Sequence, residues 1–401
     1  MPDAIDTRVS NRCSLVFLAV TLLGFLAASS VPTPLYHLYQ QSLHFSPAML
    51  TLVFGVYAMS LLAALLTVGS LSDYLGRRPV IFIGLLLNGL AMLLFINESS
   101  VQWLIAARMV QGFATGMATS ALGAALLDTD RRQGPLINSV APLLGMACGA
   151  MGASLLVELA PLPLQLSYWL LLGLFVLQAV YLWRLPESVS RQPGAWASLR
   201  PTLHVPPQAR RALWLALPVD VAVWAVGGFY LSLAPSLVRA ATGSTSNLIG
   251  GALVAVLTLS GATMIYGLRE RHPESVLRLG AGLLALGMLL ILGAVHSASL
   301  LLFFFGTLVL GSGFGGGFLG ALRSVVPLAL PHERAGLLSA FYVLSYLAFC
   351  LPALLAGSLA RSFGLIATTD GYGAVLILLA LGALMALMRR RPALQCDAPG
   401  S

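Results

Sequence analysis

The sequence predicts an all-α integral membrane protein: twelve transmembrane helices in two pseudo-symmetric six-helix bundles. Three observations carry this. Of 401 residues, 58% are hydrophobic and only 9% charged, where a soluble domain has roughly 25% charged. Uncharged runs of about 20 residues, the length that crosses a bilayer as a helix, recur along the whole chain. The charges outside those runs fall in an ordered way.

The apolar runs begin near Ser14, Ala48, Pro79, Ser99, Pro135 and Leu162, and after a polar stretch near Ala212, Asn247, Leu279, Ser297, Ala335 and Gly371. The first lacks a small-residue cleavage pattern and reads as a span rather than a removed signal peptide. Twelve spans bring the C-terminus back to the side of the N-terminus.

All 22 basic residues are Arg, and against 14 acids they leave a formal charge of +8. Nineteen of them, including Arg8, Arg12, Arg131, Arg132 and Arg389 to Arg391, fall on one side; Arg239 and Arg361 fall on the other, and Arg108 lies inside a span. Cytoplasmic loops hold the positive excess, so both termini of this multi-pass chain are expected in the cytoplasm. The basic balance is therefore a topology signal and implies no nucleic-acid partner. A monomer is expected.

The longest polar stretch, 185–210, carries five prolines among Arg, Ser and Gln. It divides the chain into an N-terminal half (1–184), a cytoplasmic linker, a C-terminal half (211–391) and a tail (392–401). Repeated halves are the usual build of secondary transporters. A weak internal echo agrees: Gly112-x-x-x-Gly116 in span four recurs as Gly313-x-x-x-Gly317 in span ten, 201 residues on in each case.

The strongest local pattern is Gly69-Ser-Leu-Ser-Asp73-Tyr-Leu-Gly76-Arg77-Arg78-Pro79, between spans two and three. So short a connection needs Gly at its tight points and keeps its charges out of hydrocarbon. It resembles the G-x-L-x-D-x-x-G-R-R loop of the major facilitator superfamily, and Arg108-x-x-Gln111-Gly112 resembles that family's R-x-x-Q-G pattern in span four. The resemblance is to its bacterial drug or metabolite:proton antiporter branch and implies the major facilitator fold. It further implies that the loop latches the two halves in the outward-open state, its acid near the start of helix eleven and against an acid ending helix four. Asp73, Arg77 and Asp128 occupy the matching positions, with Gly69, Gly76 and Arg78 completing the loop. The connector between spans eight and nine, residues 267–272, keeps charge without the full pattern. In span five, Pro142-x-x-Gly145-x-x-x-Gly149 is similar to a weakened G-P-x-x-G-G exporter motif, with Ala141 in place of the Gly; such spacing also serves close helix approach.

Arg108 and Asp220 are the two ionisable residues deep in spans. A charge there is costly and faces the bundle interior. The resemblance implies proton coupling for Arg108, and a structural hydrogen bonder to carbonyls is the other reading. Asp220 matches no family motif, and its burial alone makes it the candidate carrier of a proton or another cation. His37, His44, His296 and Glu158 fall near the outer face. Substrate contacts are expected from Tyr36, Phe54 and Tyr57 on one side and Trp224, Phe229, Tyr230, Tyr342 and Tyr346 on the other. These outline an aromatic cavity with few charges, suited to lipophilic or amphipathic molecules rather than polyanions.

Other classes fit less well. A membrane enzyme needs clustered His, Asp or Glu, and a channel needs filter loops or charged rings. A chain without Lys has no G-x-x-x-x-G-K-S/T loop, so direct ATP drive is excluded. The four cysteines have no metal or redox spacing, and no cofactor is expected. The expected function is a secondary active, proton-coupled exporter of small molecules, with a proton-linked importer or facilitator as the alternative.

Overall fold

The computed structural model describes residues 2–97, 99–330 and 332–389; Arg390, Arg391, Cys396 and the tail 392–401 lie outside the described residues. The N-terminal half holds α1 (Pro2–Ser30), α2 (Pro32–Leu43), α3 (Pro47–Val68), α4 (Leu71–Leu75), α5 (Arg77–Ile96), α6 (Val101–Thr129), α7 (Gly134–Leu159) and α8 (Leu166–Leu182). The C-terminal half holds α9 (Pro207–Ser232), α10 (Ala234–Thr242), α11 (Leu248–Leu268), α12 (Pro273–Ser297), α13 (Leu300–Val325), α14 (Arg334–Phe363) and α15 (Leu365–Met388).

Among the described residues, eleven helical stretches are long and apolar enough to cross a membrane, the first being α1 and α2 together, Asn11–Leu43. The 17-residue α8 is the twelfth, at the short end of what spans a bilayer. Large apolar side chains such as Leu86, Leu177, Leu355 and Leu378 stand exposed on the outer surface. Lipid is the solvent in which that surface is stable.

Several helices start outside the apolar runs that predict them. α12 and α15 begin at Pro273 and Leu365, ahead of Leu279 and Gly371. α9 begins at Pro207, inside the stretch expected to be linker. Proline at the first helical position costs no hydrogen bond. Beyond it Gln208, Arg210 and Arg211 prolong the helix past its apolar part. In α12 the added turn carries a Glu274–Arg278 pair at 3.3 Å. Between α6 and α7, Asp130 accepts from the backbone N–H groups of Gln133 and Arg132, bonds that hold its carboxyl below the usual carboxylate range.

The two halves repeat one packing plan. α6 packs on α1, α3 and α5, and α13 packs on α9, α11 and α12. α7 lies on α1 as α14 lies on α9, and α8 on α5 as α15 on α12. Two buried cores form, one mostly in each half, the first also taking in Leu231, Val254 and Phe349 across the interface, and a smaller cluster joins Leu143 of α7 to Ala262, Ile265, Val276 and Leu319. The halves meet along α3 with α14 and along α7 with α11.

Glycines set the closest approaches. A Cβ on Gly112 or Gly116 would collide with the backbone of Tyr57 or Leu61, so α6 lies against α3. The true counterparts in the second half are Gly311 and Gly315, which meet Leu257 and Gly261 of α11 in the same way. This corrects the echo drawn from sequence by two residues. Gly313 abuts Leu284 of α12, and Gly317 abuts Val223 of α9. A glycine-rich helix offers several in-phase pairs, and spacing alone does not say which one faces the equivalent neighbour.

Candidate functional site

The loop between α3 and α5 is built around Arg77. Gly69 continues the helical backbone, α4 makes one turn, and Gly76 reverses the chain at φ 95°, a conformation that favours Gly. Arg77 then points back under the loop: Nε donates to Asp128 Oδ2 at 3.0 Å, and Nη1 donates to Ser72 Oγ at 2.7 Å and to Asp73 Oδ1. The expected contact between the two acids is thus corrected: Arg77 stands between Asp73 and Asp128. The Asp73 side chain is 55% exposed, and among the described residues no hydrogen bond or ion pair ties it to α14.

Sequence reasoning passed over Glu187. Its carboxylate accepts from the N–H groups of Arg77 (2.8 Å) and Arg78 (3.0 Å), unpaired donors at a helix start where negative charge is favoured. Its neighbour Ser188 donates to Asp128 at 2.9 Å, and Arg78 donates to the carbonyl of Trp183 while lying over its ring. The stretch after α8 is therefore fastened to the loop. A lone Glu in a polar stretch carries no signal; only the fold brings it to the α5 N-terminus. Gly76→Ala is expected to destabilise by ~1–2 kcal/mol from backbone conformation. Its Cβ would also stand 2.7 Å from Glu187 Oε2. Thermal unfolding in detergent checks this against Gly243→Ala, where φ is also positive but the space is open; equal losses would deny the Glu187 contact any part.

Arg108 is 1% exposed. Nη1 donates to Ser29 O at 3.0 Å and to Gln111 Oε1 at 2.7 Å, and Gln111 Nε2 donates to Ala28 O at 2.9 Å. The spacing of three puts Arg and Gln on one helix face. Pro32 explains why Ala28 O is free, since it lacks the N–H that would pair with the carbonyl four residues earlier. The guanidinium carbon lies 4.4 Å from the ring centroid of Tyr57 and 5.8 Å from that of Tyr36, worth ~2 kcal/mol for a desolvated cation. Arg108 thus sits in a cage of carbonyls and aromatic faces, with no acid partner among the described residues.

Asp220 is 1% exposed in α9. Its Oδ2 lies 2.7 Å from Ser345 Oγ, which lies 2.9 Å from Phe341 O. The hydroxyl serves either protonation state: it donates to a carboxylate, or accepts from a carboxylic acid and donates to Phe341 O. Asp220 Oδ1 and Trp224 Nε1, four residues apart on one helix face, are both buried; neither has a partner at full hydrogen-bond geometry, and the indole N–H is close enough to act on the carboxyl as a donor. A carboxyl and an indole N–H held loosely together on one face form a polar patch in apolar surroundings.

The expected cavity aromatics divide. Trp224 packs against the cores of both halves, 4.8 Å from Tyr346 and 5.8 Å from Phe349, ring to ring. Phe349 in turn meets Phe54 across the interface at 4.9 Å. Tyr342 interacts electrostatically with Asp220, and Tyr346 with Tyr57, so aromatic rings run from the Arg108 cage to the Asp220 face. Phe229 and Tyr230 do not join them: Phe229 packs at a tilt on Tyr372 and Tyr230 bonds to Thr307, both inside the C-terminal core. Aromatic character marks neither direction on the helix. Phe349 was missed, although it falls on the span that bears Tyr342 and Tyr346, and so was Phe318 of α13, which lies 6.1 Å from Trp224 ring to ring on a span with no expected contact.

Gly145 and Gly149 of α7 press on the backbone of Leu23 and Ala27 in α1, and Ser30 donates to Met146 O at 2.9 Å beside them. Pro142 lies inside α7. At the end of the bundle away from the Gly69–Arg78 loop, Thr33 donates to Leu231 O at 3.0 Å and Asn247 bridges Glu158 and Arg239, while nearer the middle Cys350 lies against Gly55 O. Among the described residues, no three His, Cys, Asp or Glu side chains gather to hold a metal.

The profile of the Major Facilitator Superfamily matches residues 16–268. Multidrug resistance protein MdtL of Salmonella paratyphi A is 26% identical over 320 residues, 74% of this chain and 75% of its own length. Its namesake in Klebsiella pneumoniae is 28% identical over 145 residues, so the chain spans about a third of that relative, 36%. Multidrug resistance protein D of Escherichia coli is 42% identical over 65 residues, 16% of either chain. In fold, the chain resembles the nucleoside transporter NupG (TM-score 0.72, 15% identity, covering 94% of this chain and all of that one). It also resembles the human organic anion transporter MFSD10 (TM-score 0.67, 20% identity, 93% and 99%).

Proposed function

This chain belongs to the Major Facilitator Superfamily and is a multi-pass membrane transporter, and from that premise we propose that it exports small lipophilic or amphipathic molecules in exchange for protons. The observation that carries this is Asp220. It is a buried carboxylate whose Ser345 partner accommodates both protonation states, with the Trp224 N–H held only loosely beside it. A cargo contacting Trp224, Tyr342 and Tyr346 would meet the carboxylate and compete with its proton, which is what antiport requires. The curated relatives named for multidrug resistance support an export role.

In this reading the chain is a monomer in a bacterial inner membrane with both termini cytoplasmic. Arg108 is a positively charged hub that fixes α1 to α6 rather than an acid–base group, and it tunes Asp220 through the intervening rings. The Gly69–Arg78 loop is a conformational latch. Its exposed Asp73 and the cross-half contacts at the far end support a cytoplasm-facing state in this reading, the latch to α14 being made only when the halves rock the other way.

Everted vesicles carrying the protein, with a preformed inward proton gradient followed by a pH-sensitive dye, test the proposal. Lipophilic compounds are expected to dissipate the gradient only where the intact protein is present. A proton-linked importer would give proton movement only with cargo loaded on the opposite side, and no compound-dependent proton movement at all would overturn coupling.

A further inference from the structure

We propose that the loop-side ends of α9 and α15 form a binding site for the headgroup of an anionic phospholipid. Arg211, Trp214 and Leu215 from α9 and Ala386 and Arg389 from α15 line a groove of about 420 Å³ on the outer surface of the bundle. Arg211, Trp214 and Leu215 share one face of α9 by their spacing of three and four, as Ala386 and Arg389 share one face of α15. Both guanidinium groups are exposed, and among the described residues neither pairs with an acid. Arg210, by contrast, is turned away and donates to Val205 O.

The groove is chemically two-ended. Its open end has two cations at the level where the spans leave the membrane. Its deeper wall is Trp214, 70% exposed, and the helix that supplies Ala386 and Arg389 also carries Leu381, Met385 and Met388, all exposed. An indole at the membrane–water boundary beside apolar side chains is the setting of a lipid acyl–headgroup junction. Paired arginines between helix ends on the positively charged side of the membrane suit a phosphate-bearing headgroup. A soluble anion would use the guanidinium groups and leave the indole and methionines without purpose; a lipid uses both. The site lies at the end of α9, the helix that carries Asp220, so its occupant touches an element on which the C-terminal half moves.

The test is native mass spectrometry of the purified full-length protein, delipidated and titrated with phosphatidylglycerol or phosphatidylethanolamine. The wild type is expected to bind phosphatidylglycerol in clear preference. R211Q/R389Q should weaken that binding about fivefold per guanidinium, roughly 25-fold in all, with phosphatidylethanolamine unchanged, and R211K/R389K should keep most of it. If the Gln pair loses both lipids through misfolding, the single variants R211Q and R389Q carry the comparison, each expected about fivefold weaker for phosphatidylglycerol alone. Equal binding of the two lipids by the wild type, or undiminished phosphatidylglycerol binding by the Gln variants, would overturn the site. Displacement of phosphatidylglycerol by millimolar inorganic phosphate would overturn the lipid assignment.

Discussion

Asp220→Asn is expected to leave a folded transporter that no longer moves cargo uphill. Asn is isosteric and its amide oxygen still accepts from Ser345, so the Ser345 bond to α14 persists. Removing a buried carboxylate without a cationic partner also removes its desolvation cost. Thermal stability should therefore lie within about 1 kcal/mol of wild type or above it. Concentrative transport in proton-energised vesicles should drop to the background of empty vesicles, while exchange of labelled for unlabelled cargo, which needs no proton, should survive. Retained concentrative transport would remove Asp220 from coupling; loss of exchange as well would make it a cargo ligand only. Ser345→Ala should show a milder loss of the same kind, because the carboxyl keeps its place but loses its switching partner.

The second large effect is on packing. Gly149→Leu should destabilise by ~3 kcal/mol or more, because any side chain there collides with Ala27 O and Ser30 Oγ of α1. The neighbouring Gly152→Leu should stay within about 0.5 kcal/mol, since nothing lies within 4 Å of its Cβ position. Unfolding of both variants in the same detergent gives the comparison. Similar losses would mean that helix propensity, not close approach, governs this helix. The contrast also bears on export: the Pro142–Gly149 stretch has a structural duty whatever the direction of transport, so its presence alone does not argue for efflux.

Hydropathy and arginine placement made the helices and the two-half plan legible because membrane insertion acts on those properties directly. Arg108 and Asp220 were legible for the same reason: a charge among apolar residues stands out, and each is buried. What the sequence hid depends on direction around a helix. Phe229 and Tyr230 read like Trp224 and Tyr346, yet a turn of about 100° per residue sends them into the C-terminal core instead of toward the other half. The glycine echo slipped by two residues for a similar reason, as α13 carries close approaches to α9, α11 and α12 at once. Glu187 stayed invisible because its role exists only where the polar stretch after α8 folds back on the α5 N-terminus. Pro32 did leave a signal, a freed carbonyl one turn before it, but reading that signal required knowing that Gln111 faces α1.

In the proposed antiport, one carboxylate, Asp220, is shared in time by proton and cargo. Cargo binding to the purified protein in weakly buffered detergent solution, followed with a pH indicator, measures this without a membrane or a gradient. The wild type is expected to release about one proton per cargo bound at a pH where Asp220 is protonated, by linkage between ligand binding and protonation, and Asp220→Asn is expected to bind cargo with no release. Saturable binding to the wild type without proton release, or release undiminished in Asp220→Asn, would contradict it.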